Sequence, residues 1–493
     1  MKVLFVLVVV LAGCSEGREA SLDDLTIGCK QLDGRSSLDS GADFAPAVPG
    51  TLRGWDPDGR WFLTGVRVGG VSSYHFQRTG SQVIVDRNPA AAGRIDDTEL
   101  FARVTTTGSS GASVTITTRV SNLSPDGTAR AERAVCGDGG CTVCTARLVR
   151  ATHNADEGEA DHLALLGQLN DPSWDRGYTF NVRVDGTLAY LIRQDGLHII
   201  ETVDPAHPVE LGHYRRTGEG YSNDVKLVDA GARRFALIAD TPVDVVDVTD
   251  PALPVLAAQI PEGAHTLFTE TQGATTLAYL GSYDGTCPVY DVTDPAQPRK
   301  LGSFNTGATI LHDLSVSGGI AYLSAWEKGL LVVDFTSPAA PVVLGSWQPT
   351  PTRTSHSNWT TVAAGRRIAL HGEEAFDAKL DIVDVEPASA TFMQPFASWQ
   401  TRPWISIHNI MAFGSKAYFT YYQDGVRVLD VSDPAHPQQL GYYNTWDPQA
   451  DYASSAFFEG AVGLDVDLAR KLVLVADSPR GLLILRDDTP AGQ

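Results

Sequence analysis

Short apolar runs broken by turn residues govern the pattern of the chain from about residue 160 onward. The clearest stretch is 312–347, HDLSVSGGIAYLSAWEKGLLVVDFTSPAAPVVLGSW. His312–Ser317 alternates apolar and polar residues, and Gly318-Gly319 marks a tight turn. Ile320–Ser324 is a second run, Ala325–Gly329 a polar loop, and Leu330–Phe335 a nearly continuous apolar run. Ser337–Pro341 makes a corner before a fourth run, Val342–Trp347. Period-2 alternation, a doubly apolar third run and turn residues between them predict four antiparallel strands. A sheet this small cannot bury both faces alone and needs copies of itself.

Copies follow in phase. A turn proline recurs at Pro205, Pro251, Pro295, Pro338, Pro387 and Pro434, a spacing of roughly 43–49 residues that suits four-stranded propeller blades. Four of these turns read DPA, and the variants read SPA and EPA. Near the C-terminus, Gly463–Arg486 supplies three strands of a further copy and lacks a fourth. His162–Asn170 reads as an orphan fourth strand, with Leu166-Gly167 at the usual LG position. The prediction is an all-β chain with a seven-bladed β-propeller over 162–487. Its last blade is split, so that an early strand closes the ring and removes exposed sheet edges.

The third strands read Leu330-Leu331-Val332-Val333-Asp334, Asp381-Ile382-Val383-Asp384 and Arg427-Val428-Leu429-Asp430. In these residues the chain resembles the LVIVD-repeat family of bacterial β-propellers, of lipoprotein type. That resemblance implies the fold and an exported protein, and it implies no particular activity.

The first residues change the picture. Lys2 precedes an apolar run, Val3–Leu11, too short to span a bilayer. Leu11-Ala12-Gly13-Cys14 looks like a lipobox, which makes 1–13 a lipoprotein signal peptide and Cys14 the lipidated residue. Ser15, in place of Asp, favours the outer membrane. Residues 14–50, rich in Ser, Gly, Asp, Ala and Pro, are expected to follow as a flexible tether. The formal net charge of −21 argues against nucleic acid as a partner. Acidic loops leave Ca²⁺ open as a bound ion.

Residues 51–150 are expected to form a small β-rich domain, a sandwich or an elaborated sheet packed on the propeller. Arg60–Val68 and Gln82–Asp86 read as strands, and Phe101–Thr107 with Ser113–Val120 as a hairpin. Cys136, Cys141 and Cys144 crowd one Gly/Asp-rich loop, with Cys29 far upstream. The C-x4-C-x2-C spacing suits zinc or an iron–sulfur cluster. In an exported chain the same four cysteines are expected to form two disulfides, with the pairing open. Cys287 is left over as an unpaired thiol.

Aligning the blades places His265, His312, His356 and His408 in one register, at the start of the innermost strand. Phe180, Asn223 and Val462 take that position elsewhere. Loops between second and third strands should open on the same face and carry Gln194-Asp195, Tyr283-Asp284, Trp326-Glu327, Glu373-Glu374 and Gln423-Asp424. Inter-blade loops add Tyr221, Trp404, Trp446 and Tyr452. One reading makes the histidines hydrogen-bonding locks between neighbouring blades. Another makes His265, His312, His356, His408, Glu327, Glu373, Asp424, Trp404 and Trp446 a ligand-binding face. A third centres a zinc-type metal on His312, His356 and His408, with Glu327 or Glu373 as general base. The repeated Asp residues, among them Asp247, Asp291 and Asp334, are better explained as turn devices.

Nucleophile elbow, P-loop, dinucleotide-binding and zinc-protease patterns are not found. A lipid-anchored envelope platform for a protein, peptide or glycan is therefore expected, and the alternative is a metal-dependent hydrolase or lyase at the channel mouth.

Overall fold

The computed structural model describes residues 21–492 apart from 23–24, 36, 66–70, 108–110, 175–176, 217–220 and 350–353. Residues 1–13, expected as a signal peptide, and Cys14 lie outside the described residues. The chain divides into two compact units. One comprises Met1–Thr152, Arg402–Trp404 and Asp447–Glu459, the other His153–Thr401, Ile405–Trp446 and Gly460–Gln493.

The second unit is built from seven antiparallel sheets, each running outward from an innermost strand. Blades one to seven cover 179–215, 224–260, 266–305, 313–347, 355–399, 410–443 and 461–487. Their innermost strands neighbour one another in a closed cycle, the seventh meeting the first. Leu163–Leu169 pairs antiparallel with Gly481–Asp487 and completes the seventh blade, as the orphan strand requires. The sequence pattern does not anticipate the two-residue strand Ala160–Asp161, which extends the sixth blade to five strands.

Packing explains the repeat signature. Leu330, Val332 and Val333 of the fourth blade's third strand are fully buried on both faces, which accounts for its unbroken apolar character. The aspartate ending that strand accepts a backbone N–H two residues on: Thr336 N to Asp334 at 2.7 Å, Thr249 N to Asp247 at 2.9 Å, Ser432 N to Asp430 at 2.8 Å. The DPA aspartates do the same, with Ala252 N to Asp250 and Ala206 N to Asp204 both at 3.0 Å. These are local turn devices.

The LG pair has a separate cause. Pairing with the third strand skips one residue before the glycine, so Leu166, Leu211, Leu301, Leu344 and Leu440 are β-bulge residues. A Cβ on Gly167, Gly212 or Gly302 would overlap the carbonyl oxygen of Pro205, Pro251 or Pro338 in the next blade's turn. Glycine is required there so that one blade's outer strand can seat against its neighbour's corner.

The first unit is β-rich as expected, and its single sheet closes into a barrel, which corrects the expectation of a sandwich. Eight strands follow in chain order: Gly59–Thr64, Ser73–Thr79, Gln82–Val85, Asn88–Ile95, Glu99–Thr107, Ser113–Ser121, Ala129–Gly137 and Gly140–Arg150. Each pairs with the next, and the last pairs back onto the first through Arg147–Arg150, closing the sheet. Inward-facing Trp61, Leu63, Tyr74, Phe76, Leu100, Val120 and Leu148 fill it.

Part of the stretch expected as a tether belongs to this unit. Gly28–Leu32 pairs with the free half of Gly140–Arg150, and Leu38 is fully buried. Two disulfides form, Cys29–Cys144 and Cys136–Cys141, each across a directly paired position. Cys287 is free and buried within its blade, and burial pushes its thiol up to about 12. Asp447–Glu459, which follows the sixth blade in sequence, also joins this unit. Buried Arg60 donates to the carbonyls of Ala453 at 2.6 Å and Ser454 at 2.7 Å. Among the described residues, no helix is long and apolar enough to cross a membrane.

Candidate binding face at the channel mouth

The histidine register has a backbone origin. In blades one, five and seven, Phe180, His356 and Val462 are skipped by the pairing of the inner two strands. A bulge of this kind re-aims its side chain. In the other histidine-bearing blades the register residue stands just before the strand. Its N–H still pairs with the second strand: His265 with Gly281 at 2.7 Å, His312 with Ser324 at 3.0 Å and His408 with Thr420 at 2.9 Å. Asn223 of blade two pairs in the same way, its N–H with Ala239 at 3.0 Å.

The four imidazoles form one continuous arc. Ring centroids are 3.9 Å apart for His265 and His312, 4.0 Å for His312 and His356, and 4.4 Å for His356 and His408. Nδ1–H of His265 donates to the carbonyl of His312 at 3.1 Å, and that of His408 to Val462 at 2.7 Å. His312 and His356 turn toward the carbonyls of His356 and His408 in the same sense. Nδ1 of His356 falls short of hydrogen-bond geometry and is buried without a partner. Burial pushes His265 and His408 down to about 4 and His312 and His356 well below the ordinary range, outweighing the pull of these carbonyls. The arc is neutral near pH 7. His265 and His408 are thereby tied to the following blade.

Below the arc lies a polar belt. Asp224 accepts from Asn181 Nδ2 at 2.8 Å, Thr266 Oγ1 at 2.8 Å and Arg183 at 3.2 Å, and it pairs with Lys226. Burial opposes its charge, yet Lys226 and Arg183 hold it at about 2. Loss of solvent and repulsion by Asp224 push the half-buried Asp313 up to about 7.

The other candidates separate. Glu327 clamps the loop before the fourth blade, accepting Thr309 N at 3.0 Å and Thr309 Oγ1 at 2.9 Å. Glu373 is buried, and its neighbour Glu374 is 3.9 Å from His356 Nε2 and accepts from the Tyr422 hydroxyl. Among the described residues, the metal-competent set at the mouth is thus His312, His356 and Glu374. Of the three histidines proposed as ligands, His408 is outside it, and Glu374 takes its place. Asp424 is buried and accepts Thr401 Oγ1 at 2.6 Å, and Trp446 is 2% exposed. Neither offers a surface to a ligand. Trp404 belongs to the barrel unit.

An aromatic patch lies on blades one to three, where sequence reasoning expected Tyr283 and Tyr221 and missed Tyr178. Tyr178, Tyr221 and Tyr283 are each about two-fifths exposed, at 41%, 37% and 43%. Phe180 links Tyr178 at 6.2 Å and Tyr221 at 6.3 Å, and the Tyr283 ring lies 5.7 Å from His265. The Tyr283 hydroxyl meets Asn223 Nδ2 at 2.6 Å. Its signal was available, since Phe180 and Asn223 hold the two early register positions without histidine.

Three segments match the LVIVD repeat, at residues 176–216, 311–348 and 408–445. No curated protein matches the chain in sequence. Among solved structures, the computationally designed Ika8 protein shares 11% identity over 65% of this chain and 99% of its own, with a TM-score of 0.45. BamB from Moraxella catarrhalis shares 13% identity over 62% of this chain and 82% of its own, with a TM-score of 0.41. The chain thus carries LVIVD repeats, and it assembles them into a seven-bladed β-propeller.

Proposed function

We propose that the protein is an exported, lipid-anchored interaction platform of the cell envelope, whose mouth face holds a protein, peptide or glycan. The observation that carries this reading is the run of part-exposed aromatic rings at Tyr178, Phe180, Tyr221 and Tyr283. Tyrosines present a large apolar face with a polar tip at little conformational cost, which suits them to recognition surfaces. A rigid ring beneath them keeps the patch preorganised. Paired cysteines in the barrel fit an oxidising compartment, and the Leu11–Cys14 sequence supplies the anchor. A photo-crosslinking residue at Tyr221 or Tyr283 should give a discrete adduct in intact cells, whereas one at Val343 on an outer strand should not. Adducts from Val343 alone would move the partner to the propeller's flank. Mass spectrometry of the mature chain should find a diacylglyceryl group on Cys14, absent in Cys14→Ser.

One observation favours a metal-dependent hydrolase or lyase instead: ligand atoms of His312, His356 and Glu374 lie within 4.8 Å of one another. A stoichiometric transition metal lost in His312→Ala would support that reading.

A further inference from the structure

A second histidine group lies on the first blade, away from the hub. His198 and His213 face each other across its two outer strands, Gly196–Glu201 and Val209–Arg215. Their rings stack with centroids 3.9 Å apart and planes 18° from parallel. Asp195, in the turn entering the first of these strands, meets both. Its Oδ1 is 3.1 Å from His198 Nε2, and its Oδ2 is 3.7 Å from His213 Nε2. On the far side of His198, Nδ1 bonds Glu210 at 2.6 Å, and Glu210 also accepts Trp174 Nε1 at 2.8 Å. Arg193 and Arg215 stand 3.9 and 3.7 Å from the Asp195 carboxylate.

An ionic bridge from Asp195 through His198 to Glu210 accounts for His198. It leaves His213 unexplained. His213 Nε2 and Asp195 Oδ2 are both buried, neither has a hydrogen-bond partner, and they stand 3.7 Å apart. Buried polar atoms without partners are uncommon and call for a cause. A cation between them supplies one. Ligand atoms of Asp195, His198 and His213 lie within 4.8 Å of one another. Tetrahedral zinc with bonds of about 2.0–2.1 Å sets its ligand atoms about 3.3 Å apart, and the observed 3.1 and 3.7 Å bracket that value. The Glu210–His198 hydrogen bond is the carboxylate–histidine pairing that fixes a ligating ring's orientation. Beside the group lies a cleft of about 310 Å³ lined by Trp174, Asp195, Glu210, His213 and Arg215.

We propose that Asp195, His198 and His213 bind a transition-metal ion of the zinc type, with Glu210 orienting His198 and an open fourth position facing this cleft. Three protein ligands with one open position is the arrangement that lets zinc take a water or an exogenous donor. The site is independent of the aromatic face and of the hub histidines.

The test is equilibrium dialysis of the full chain against ZnCl₂ with elemental analysis, repeated with Co²⁺ and its visible absorption. Wild type should hold one equivalent. His213→Ala should lower affinity at least tenfold and abolish the cobalt bands, while His312→Ala keeps both. Should His213→Ala fail to fold, Asp195→Asn preserves shape and must show the same loss. Wild type without stoichiometric metal, or metal that survives His213→Ala and Asp195→Asn, overturns the proposal. So does metal that depends on His312 alone.

Discussion

The propeller holds histidines in two settings that differ in nearly every physical respect. Those at the hub come one per blade on four blades and lie tilted against one another in an arc, with Nδ1 of His265 and His408 bonded to the next blade's backbone and Glu374 3.9 Å from His356. Those on the first blade belong to a single sheet, stack face to face, and are held between Asp195 and Glu210 beside an open cleft. Repetition at the hub reflects a requirement shared by neighbouring blades, whereas the pair on blade one answers to nothing in the repeat. A recurring histidine therefore marks assembly here, and the unrepeated pair marks chemistry.

Acid should break the comparison most strongly. Hub imidazoles have folded pKa values below the ordinary 6.5, about 4 for His265 and His408. The unfolded chain then binds more protons between those values, so stability falls as pH drops from 6.5 toward 4. Each pK unit of depression is worth on the order of 1.4 kcal/mol per group. Asp313, raised to about 7, works oppositely: its contribution is present at low pH and lost as pH rises from 3.8 through 7. Four imidazoles outweigh it, and the melting temperature should fall on acidification. A flat profile over that window would contradict neutral hub rings.

Truncation comes next. His356→Ala removes a buried ring and the contacts it makes with both neighbours, and should destabilise the propeller by about 3 kcal/mol, as other buried rings do. Denaturant unfolding measures this, and zinc binding at blade one should be untouched. Glu210→Gln should weaken zinc binding by roughly 10–100-fold, read by dialysis, with little change at the hub. Smallest of all, His213→Ala in metal-free protein should shift stability by no more than about 0.5 kcal/mol, because its ring is partly exposed.

Much of this was legible in the sequence, and the limits have physical causes. The closing strand Leu163–Leu169 and the hub register were readable because seven copies share one backbone geometry, so Leu166-Gly167 and the four histidines stand out by alignment. Glycine's role in the LG pair was not, since the overlap of Gly302 with Pro338 lies between blades and leaves no local signal. The barrel was seen only as β-rich. Its closure depends on Arg147–Arg150 reaching Trp61–Thr64, a pairing across some 80 residues that no periodicity announces. His198 and His213 were passed over for a different reason. Their equivalents are Leu331 and Ser346 in blade four and Asp244 and Gln259 in blade two, so alignment marks the positions as variable. Variation of that kind hides a site used once.

Nitrogen-15 NMR of histidine-labelled protein tests the central contrast most directly, because it reports which ring nitrogen carries the proton. For His265 and His408, assigned through their alanine variants, the account predicts a protonated Nδ1 and a bare Nε2 that persist unchanged from pH 7 to pH 5. Imidazolium signals appearing at these residues with a midpoint near 6.5 would contradict it.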